Sequence, residues 1–282
     1  HWRRRNTLSG SKRNIQDHYD LSNEMFMTFL DDTMTYSCGY FEAENDSLYQ
    51  SQINKIDKIL DKASVNSDDH ILEIGSGWGA LAIHAVKTIG CHVTTVTISE
   101  KQYNHVKQLI NQHHLDAKIE VKLMDYRLLT GKYDRIISIE MLESVGYEYL
   151  PVYFRKCHDL LHRNGKAMFQ CIMIPDERYA AYKKSPDFIQ KYIFPGGHLP
   201  SISSIKSAIS SANLHWKHSS EITQHYVDTL RIWEQQFMSN KTNILSMGFD
   251  HSFINTWQYY FNYCSSAFKS NFIHNYQFTI NK

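Results

Sequence analysis

A glycine-rich turn between an apolar strand and an apolar helix constrains the fold of this chain more than any other feature. Residues 71–79 read Ile-Leu-Glu-Ile-Gly-Ser-Gly-Trp-Gly, and residues 80–86 are largely apolar at helical spacing. Because glycine has no Cβ atom, it lets the backbone turn tightly and approach a ligand. A strand, a glycine turn and the start of a helix therefore predict a site for a nucleotide-like ligand.

The sequence of this turn is compatible with two kinds of nucleotide-binding site. Gly75, Gly77 and Ala80 fit the dinucleotide pattern of dehydrogenases. That pattern needs an acid at the end of the next strand, where residues 97–99 are Thr-Ile-Ser. The acid stands before the glycines instead, at Glu73, and this order resembles the first motif of S-adenosylmethionine-dependent methyltransferases. We favour the methyltransferase interpretation, while a dehydrogenase loop and a glycine turn without a ligand stay open.

Strands and helices alternate from residue 70 onwards, which predicts a parallel sheet with helices on both faces. The predicted strands are 70–74, 91–96, 118–123, 134–139 and 166–174, and the helices between them begin near residues 78, 99 and 148. Ligands bind beyond the carboxyl ends of such strands, so the loops there should share one crevice. These loops follow residues 74, 97, 124, 140 and 172.

Outside this unit, apolar spacing predicts further helices and one more strand. The helices are expected over 14–31, 48–63, 201–211, 225–240 and 251–268, and an edge strand over 275–280. We therefore divide the chain into an N-terminal helical segment, 1–66, that covers the crevice, and a catalytic domain, 67–282. The alternation breaks over about 175–200, which is rich in proline, glycine and aromatic residues. This insertion is expected to cover the crevice, with a surface loop as the alternative.

Charge and cysteine content exclude several classes of protein. The 282 residues carry a formal net charge of +1, so there is no global attraction to nucleic acid. The five scattered cysteines form no C-x-x-C pair, and the sixteen histidines form no H-E-x-x-H motif. This argues against a disulfide framework and a metal site and favours a reducing compartment. No apolar run reaches the roughly 18 residues of a membrane span.

The N-terminus is locally basic. It contains Arg3, Arg4, Arg5, Lys12 and Arg13. These residues predict either a solvated arm or attraction to anionic lipid headgroups. The chain begins with His1 rather than Met, so a fragment of a longer protein is one expectation.

Eight motifs in order make the sequence resemble the cyclopropane fatty acid synthase family, from about residue 5 to the end. They lie at residues 18–23 (HYDLSN), 34–38 (MTYSC), 71–79 (ILEIGSGWG), 97–102 (TISEKQ), 125–127 (DYR), 140–146 (EMLESVG), 194–197 (FPGG) and 225–230 (HYVDTL). Residues 174–179 and 185–200 look most like the plant-type branch of this family. No single motif is decisive, but the ordered set is highly specific.

The resemblance implies a class I methyltransferase fold, an α/β Rossmann-like sheet of seven strands with an N-terminal helical segment and a lid insertion. Family members transfer a methylene group from S-adenosylmethionine to the double bond of an unsaturated fatty acyl chain in a phospholipid. A bound bicarbonate takes the proton that is released as the cyclopropane ring closes. The resemblance thus implies S-adenosylmethionine and bicarbonate as cofactors and an unsaturated phospholipid as substrate. It also implies a cytoplasmic enzyme, peripheral on the membrane, with a homodimer left open.

The same resemblance assigns a bicarbonate pocket to Cys38, Glu143, Ile172 and Tyr226. Cys38 and Ile172 would offer backbone groups, Glu143 would accept from the bicarbonate hydroxyl, and Tyr226 would donate through its phenol. Gln170 belongs to this pocket but stands where part of the family has histidine. Glutamine can hydrogen-bond an anion, but it cannot shuttle a proton at neutral pH.

Cofactor residues are assigned in the same way, in three groups. The methionine part of the cofactor is expected at Tyr36, Ser37, Glu73, Gly75 and Gly77. The ribose is expected at Thr97, Ile98 and Gln102, and the adenine at Asp125 and Tyr126.

Other functions compatible with this scaffold stay open. The same carbocation leads to a methyl-branched or methylene fatty acid, which the sequence does not separate from a cyclopropane. A small-molecule N-methyltransferase needs no base for a carbon-bound proton, so the set of Cys38, Glu143 and Tyr226 argues against it. A non-catalytic lipid-binding relative would be expected to lose the glycine motif or Glu143, and both are present.

Overall fold

Seven strands form one sheet in the computed structural model, which describes residues 6–8, 10–11, 14 and 22–282. The strands are β1 (His70–Ile74), β2 (His92–Thr97), β3 (Ile119–Leu123), β4 (Tyr133–Ile139), β5 (Leu161–Met173), β6 (His215–Glu221) and β7 (His274–Asn281). Their order across the sheet is β3-β2-β1-β4-β5-β7-β6. β1 to β5 run parallel, and β7 is antiparallel to β5 and β6. The seven-stranded α/β sheet expected from the sequence is confirmed.

The last two strands differ from the sequence prediction. The strand predicted over 275–280 is confirmed as β7. Its predicted position at the edge is wrong, because β7 lies inside the sheet and pairs with both β5 and β6. The edge is β6, which the sequence analysis missed. Its sequence, His-Trp-Lys-His-Ser-Ser-Glu, is mostly polar, and no residue of the strand is buried. A strand without a buried face lacks the apolar alternation on which strand prediction depends.

Helices cover both faces of the sheet. Their bounds are α1 (Asn23–Met27), α2 (Leu48–Ala63), α3 (Ala80–Ile89), α4 (Glu100–Gln112), α5 (Leu150–Leu160), α6 (Asp176–Tyr182), α7 (Phe188–Tyr192), α8 (Ile202–Ser211), α9 (Thr223–Ser239), α10 (Lys241–Ser246) and α11 (His251–Lys269). Short 3₁₀ helices lie at Tyr126–Leu128, Leu142–Ser144 and Tyr147–Tyr149. The helix predicted over 48–63 has the same bounds as α2, which begins after Ser47, whose side chain accepts from the backbone N–H of Gln50.

The N-terminal predictions are described only in part. Within the helix expected over 14–31, the structure has α1, which ends at Met27, so residues 28–31 are not helical. Residues 15–21 lie outside the described residues, as does the basic cluster of the N-terminus.

Three apolar clusters hold the elements together. Neighbouring residues of a strand point to opposite faces of the sheet, and accordingly Leu72 packs in one cluster and Ile71 in another. The third cluster is aromatic and joins α1, α9 and α11, with Phe29, Trp233 and Phe261 fully buried in it. This helical layer lies beside the carboxyl ends of the strands and closes one side of the crevice, since Tyr226 and Leu230 of α9 line it.

The insertion folds back over the crevice. It contains α6 and α7, and its two ends are joined by a hydrogen bond from the N–H of Ile174 to the carbonyl of Pro200 at 3.0 Å. The N–H of His198 donates to the carbonyl of Glu143 at 2.7 Å. These contacts hold residues 175–200 against the loop after β4, and Phe194 lines the same cavity as Glu143.

Candidate active site

The loops beyond the carboxyl ends of the parallel strands line one cavity of about 330 Å³. Taken from β1 to β5, they contribute Gly75, Thr97, Asp125, Glu140 and Ile172, among others. All ten predicted cofactor residues line this cavity, and so do Glu143, Ile172 and Tyr226. Cys38 and Gln170 lie directly behind its wall, bonded to Glu140.

The glycine turn after β1 opens its backbone to this cavity. Gly75 and Gly77 have φ angles of +98° and +49°, in the left-handed region that favours glycine. A Cβ at Gly77 would meet no heavy atom within 4 Å, so the side of the backbone that a side chain would cover faces open space. The turn therefore has the form of a cradle for a ligand that approaches the main chain.

Glu73 is the penultimate residue of β1, two residues before Gly75, and is only 4% exposed. Its Oε2 accepts a hydrogen bond from Oγ1 of Thr95 at 2.6 Å. Burial raises the pKa of this carboxyl to about 8, and the Thr95 hydrogen bond and the charge of Lys55 offset part of that rise. A buried acid of this kind is stabilised as a carboxylate by a cationic partner, which suits it to an ammonium group.

Lys55 connects α2 to the segment that precedes it. The side chain is fully buried, and Nζ donates to Oγ of Ser37 at 2.8 Å. Gln52, one turn earlier, donates through Nε2 to the carbonyl of Ser37 at 2.8 Å. Burial lowers the pKa of Lys55 to about 8, and the charge of Glu140 opposes this shift. Ser37 is thereby fixed from two sides at the cavity wall.

Tyr36 connects the N-terminal segment to the helical layer and to the insertion. Its hydroxyl donates to the hydroxyl of Tyr260 at 3.0 Å, and its ring stacks on Phe194 with centroids 6.0 Å apart. Since all three side chains line the cavity, an aromatic wall closes the side opposite the sheet.

The loop after β2 is held by its own polar groups. Oγ1 of Thr97 donates to Oε1 of Gln102 at 2.7 Å and accepts from the N–H of Ser99 at 3.1 Å. Ser99 also caps α4 by accepting from the N–H of Gln102. Ile98 lies between them at the cavity wall.

The loop after β3 is stabilised by an ion pair. Both oxygens of Asp125 accept from Arg127, at 2.8 Å from Nε and 2.6 Å from Nη2. Arg127 also donates to the carbonyl of Asn6 at 2.9 Å. Burial raises the pKa of the Tyr126 phenol, so this side chain lines the cavity as an uncharged aromatic group.

Glu143 lies on the 3₁₀ helix after β4 and bonds the end of β5. Its Oε1 accepts from the N–H of Ile172 at 2.6 Å. Its Oε2 is buried and has no hydrogen-bond partner among the residues that the structure describes. Burial, and next the charge of Glu140, raise the pKa of this carboxyl to about 8. The backbone donor that the sequence assigned to bicarbonate is therefore bonded to Glu143.

Tyr226 donates to Glu140 rather than to a group of the expected pocket. The distance from its hydroxyl to Oε2 of Glu140 is 2.7 Å. The N–H of Cys38 and Nε2 of Gln170 donate to Oε1 of the same carboxylate, at 3.1 Å and 2.9 Å. Three of the five residues assigned to the bicarbonate pocket thus meet at Glu140. Burial raises the pKa of the Cys38 thiol far above its usual value, so only the backbone of this residue is polar here.

Sequence reasoning missed three of these side chains: Lys55, Glu140 and Asn275. The sequence contained a signal for Lys55, because it lies on the apolar face of α2 with Ile56 and Ile59. A charged residue on such a face is unusual unless it has a buried partner. Glu140 belongs to the motif at residues 140–146, but the family resemblance assigned the functional carboxyl to Glu143. Asn275, whose Nδ2 donates to Glu140 at 2.8 Å, carried no signal.

Comparison with known proteins identifies the family. The sequence matches the family described as mycolic acid cyclopropane synthetase over residues 7–278. The chain belongs to this family. Its members are S-adenosylmethionine-dependent methyltransferases, so the dehydrogenase interpretation of the glycine turn is wrong and the methyltransferase interpretation is confirmed.

Individual members of the family are similar along nearly the whole chain. The tuberculostearic acid methyltransferase UfaA1 of Mycobacterium tuberculosis is 38% identical over 281 residues, which cover 96% of this chain and 65% of that protein. Cyclopropane mycolic acid synthase 1 of Mycobacterium tuberculosis is 33% identical, covering 95% of this chain and 96% of that protein. The crystal structure of mycolic acid cyclopropane synthase CmaA1 complexed with SAH and CTAB superimposes with a TM-score of 0.91 at 31% identity, covering 96% and 98% of the two chains. These matches confirm the class I methyltransferase fold.

Proposed function

We propose that this protein transfers a methylene group from S-adenosylmethionine to the double bond of an unsaturated fatty acyl chain in a phospholipid, which forms a cyclopropane ring. The observation that carries the proposal is one cavity that is lined by two unlike groups of residues. The glycine turn and Glu73 line one part, and aromatic side chains with the Glu140–Tyr226 pair line another. This arrangement suits a nucleotide-like methyl donor that faces an apolar chain.

The residues present fit S-adenosylmethionine. The open backbone at Gly77 and the buried acid Glu73 suit the ammonium and carboxylate of its amino-acid end, and Tyr36 and Ser37 would close over them. Thr97 and Gln102 would offer polar groups to the ribose, and Tyr126 an apolar wall to the adenine. When bound, the cofactor supplies an electrophilic methyl group on its sulfonium and departs as S-adenosylhomocysteine.

The wall of the cavity suits a reaction through a carbocation. An alkene is a weak nucleophile, so alignment of the acyl chain must supply much of the rate. A carbocation must be kept from water, and the insertion covers the crevice at Phe194. Aromatic faces stabilise positive charge, and the wall carries the stacked pairs Tyr36–Phe194 and Tyr226–Phe268, with centroids 6.0 Å and 4.5 Å apart.

Bicarbonate does not fit the position that the sequence assigned to it. The N–H of Cys38 and the hydroxyl of Tyr226 donate to Glu140, and the N–H of Ile172 donates to Glu143. An added anion would lie against the Glu140 carboxylate and would find these donors already engaged. The proposed reaction therefore does not use bicarbonate.

A membrane surface is the proposed source of the acyl chain. In the described part of the chain, no helix is long and apolar enough to cross a membrane. An aromatic and basic patch lies where the insertion meets α11, with Tyr192 of the insertion 57% exposed and Tyr259 of α11 53% exposed. The ring of Phe188 in the insertion contacts Tyr259, and Lys191 lies beside Tyr192. Aromatic rings with nearby cations suit an interface with anionic headgroups. Ile189 and Tyr263, next to this patch, line the cavity.

A second candidate keeps the cofactor and the lipid but changes the product. The relative named tuberculostearic acid methyltransferase is the more identical of the two curated relatives described above. This supports a methyl-branched or methylene fatty acid as the alternative product. A small-molecule N-methyltransferase is less favoured, because an amine requires neither an extended apolar cavity nor a buried acid beside it. A homodimer stays a prediction.

Incubation with lipid vesicles tests the proposed function. The purified protein is mixed with vesicles of a dioleoyl phospholipid and methyl-labelled S-adenosylmethionine, and the lipids are then analysed by mass spectrometry. We expect label in the acyl chains, and none with vesicles of a distearoyl phospholipid with the same headgroup. Label in an added amine and none in the oleoyl chains would favour the N-methyltransferase instead.

A further inference from the structure

Glu140 holds a carboxylate at the cavity wall where four hydrogen-bond donors converge. Its Oε1 accepts from the N–H of Cys38 at 3.1 Å, from Nε2 of Gln170 at 2.9 Å and from Nδ2 of Asn275 at 2.8 Å. Its Oε2 accepts from the hydroxyl of Tyr226 at 2.7 Å. A carboxylate oxygen has about two lone pairs, so Oε2 keeps capacity for a proton while Oε1 is fully engaged.

The amide donor Gln170 is itself fixed in this orientation. Its Oε1 accepts from Nε2 of Gln277 at 2.9 Å, and Oε1 of Gln277 accepts from Nζ of Lys62 at 2.6 Å. Because Lys62 can only donate, it determines which group is the donor in each hydrogen bond of this series, from Lys62 to Gln277 to Gln170. Nε2 of Gln170 therefore faces acceptors, and it donates to Oε1 of Glu140 at 2.9 Å and to the carbonyl of Cys38 at 3.3 Å. The polar network behind the cavity wall is thus arranged for an anion at this point.

The backbone of Glu140 adopts a conformation that favours glycine. The φ angle is +49°, a left-handed conformation that costs a residue other than glycine on the order of 1 kcal/mol. Glycine would adopt this conformation without that cost. This position carries a glutamate although its backbone conformation favours glycine. Compared with glycine, the glutamate places a carboxylate at the cavity wall.

Three of the donors on Glu140 belong to residues that the family resemblance assigned to the bicarbonate pocket: the N–H of Cys38, Nε2 of Gln170 and the hydroxyl of Tyr226. A carboxylate and a bicarbonate both present two oxygens on one planar carbon, so either can satisfy the same donors. The side chain of Glu140 occupies the position of the expected anion.

We propose that Glu140 is the base of the reaction and takes the place of a soluble bicarbonate in this protein. This inference rests on the proposed function. A C–H bond of the transferred methyl group breaks, and its electron pair forms the second C–C bond of the ring. The proton passes to Oε2 of Glu140, and Tyr226 holds this oxygen toward the cavity. No oxidant or reductant is needed.

A glycine variant tests this proposal with little risk to folding. Glu140→Gly removes the carboxylate, relieves the backbone and leaves a space lined by the same donors. Glu140→Gln keeps the shape but cannot accept the proton as a base. His114→Gly is the matched backbone control, because His114 is exposed and has a φ angle of +55° outside the cavity. Titration with S-adenosylmethionine checks that each variant is folded.

Turnover is measured with dioleoyl phospholipid vesicles in buffer freed of carbon dioxide, with and without added bicarbonate or formate. We expect wild-type and His114→Gly turnover to be independent of both anions. Glu140→Gly is expected to lose about 100-fold or more and to recover in part, saturably, with either anion. Glu140→Gln is expected to lose as much and not to recover. Binding of ¹³C-labelled bicarbonate, followed by NMR line width, should occur with Glu140→Gly and not with the wild-type protein.

Three results would overturn the proposal. The wild-type protein could lose turnover when bicarbonate is removed, or Glu140→Gly could keep wild-type turnover in bicarbonate-free buffer. Glu140→Gly could also bind the cofactor yet stay inactive with every anion, which would indicate a structural role. If the wild-type protein methylates no lipid, the proposed function fails, and the comparison of bicarbonate binding still decides whether Glu140 occupies the anion position.

Discussion

Nζ of Lys55 lies 2.8 Å from Oγ of Ser37, and both side chains are buried at the wall of the cavity. The hydrogen bond ties α2, which packs on the sheet, to the segment that covers the cofactor loop. Burial alone would make a lysine here costly. The charge of Glu140 is the main effect that opposes that cost, so Lys55 serves as the positive partner of this carboxylate.

Lys55→Met should destabilise the protein by about 1–3 kcal/mol, because Ser37 loses its donor and the Glu140 carboxylate loses a nearby cation. The measurement is the free energy of unfolding in urea at neutral pH. Lys58→Met on the same helix is the matched control, because Lys58 makes a partly exposed ion pair with Glu42. Such pairs contribute at most about 1 kcal/mol. Equal effects of the two substitutions would contradict the role given to Lys55.

The affinity for S-adenosylmethionine should depend on the ionisation of Glu73. Its pKa of about 8 in the ligand-free protein means that the carboxyl is mostly protonated at pH 7. A cationic ligand favours the carboxylate, so binding should release a proton and tighten up to about tenfold per pH unit until the pH passes 8. Calorimetric titrations between about pH 6 and 9 measure this. Glu73→Gln should bind more weakly and lose this part of the pH dependence, whereas Glu120→Gln, exposed on β3, should keep the wild-type profile.

Glu143 should make stability depend on pH with a definite sign. Its folded-state pKa of about 8 lies above the ordinary value of 4.5. Its contribution is therefore complete below pH 4.5 and is lost as the pH rises through 8. Glu143→Gln keeps an oxygen for the N–H of Ile172, so its free energy of unfolding should fall less between pH 5 and 9. At the alkaline end the variant should be more stable than the wild-type protein by about 1–3 kcal/mol. Parallel curves for the two proteins would contradict the assignment.

The aromatic patch where the insertion meets α11 should determine vesicle binding. Replacing Tyr192 and Tyr259 by serine removes exposed rings that lie outside the cavity, so sedimentation with anionic vesicles should fall several-fold while cofactor binding is unchanged. Tyr49→Ser, which also removes an exposed ring, is the control and should sediment like the wild-type protein. If all three proteins sediment equally, this patch is not the membrane contact.

Local patterns predicted the elements that present the site. The glycine turn, the alternation of strands and helices and the apolar spacing of α2 are signals within a few neighbouring residues, and each element lies near its expected bounds. β6 lacked such a signal because it has no buried face. β7 was misplaced because alternation identifies a strand but does not say how many neighbours it pairs with.

The pairing of polar groups was beyond local pattern. Glu140 meets Cys38 and Asn275 across 102 and 135 residues of sequence, and only the completed fold brings them together. The left-handed backbone that turns the Glu140 carboxylate toward them is also a property of the folded loop. Resemblance to the family therefore identified most residues of the pocket, but it did not predict that Cys38, Gln170 and Tyr226 donate hydrogen bonds to Glu140.

The fate of a deuterated methyl group tests the central claim most directly. The protein is incubated with dioleoyl phospholipid vesicles and S-adenosylmethionine that carries a trideuterated methyl group, and the acyl chains are examined by mass spectrometry and proton NMR. If the ring closes as proposed, the acyl product has lost one of the three deuterium atoms and shows the upfield signals of cyclopropane ring hydrogens. An acyl product that keeps all three deuterium atoms, or no labelled acyl chain at all, would contradict it.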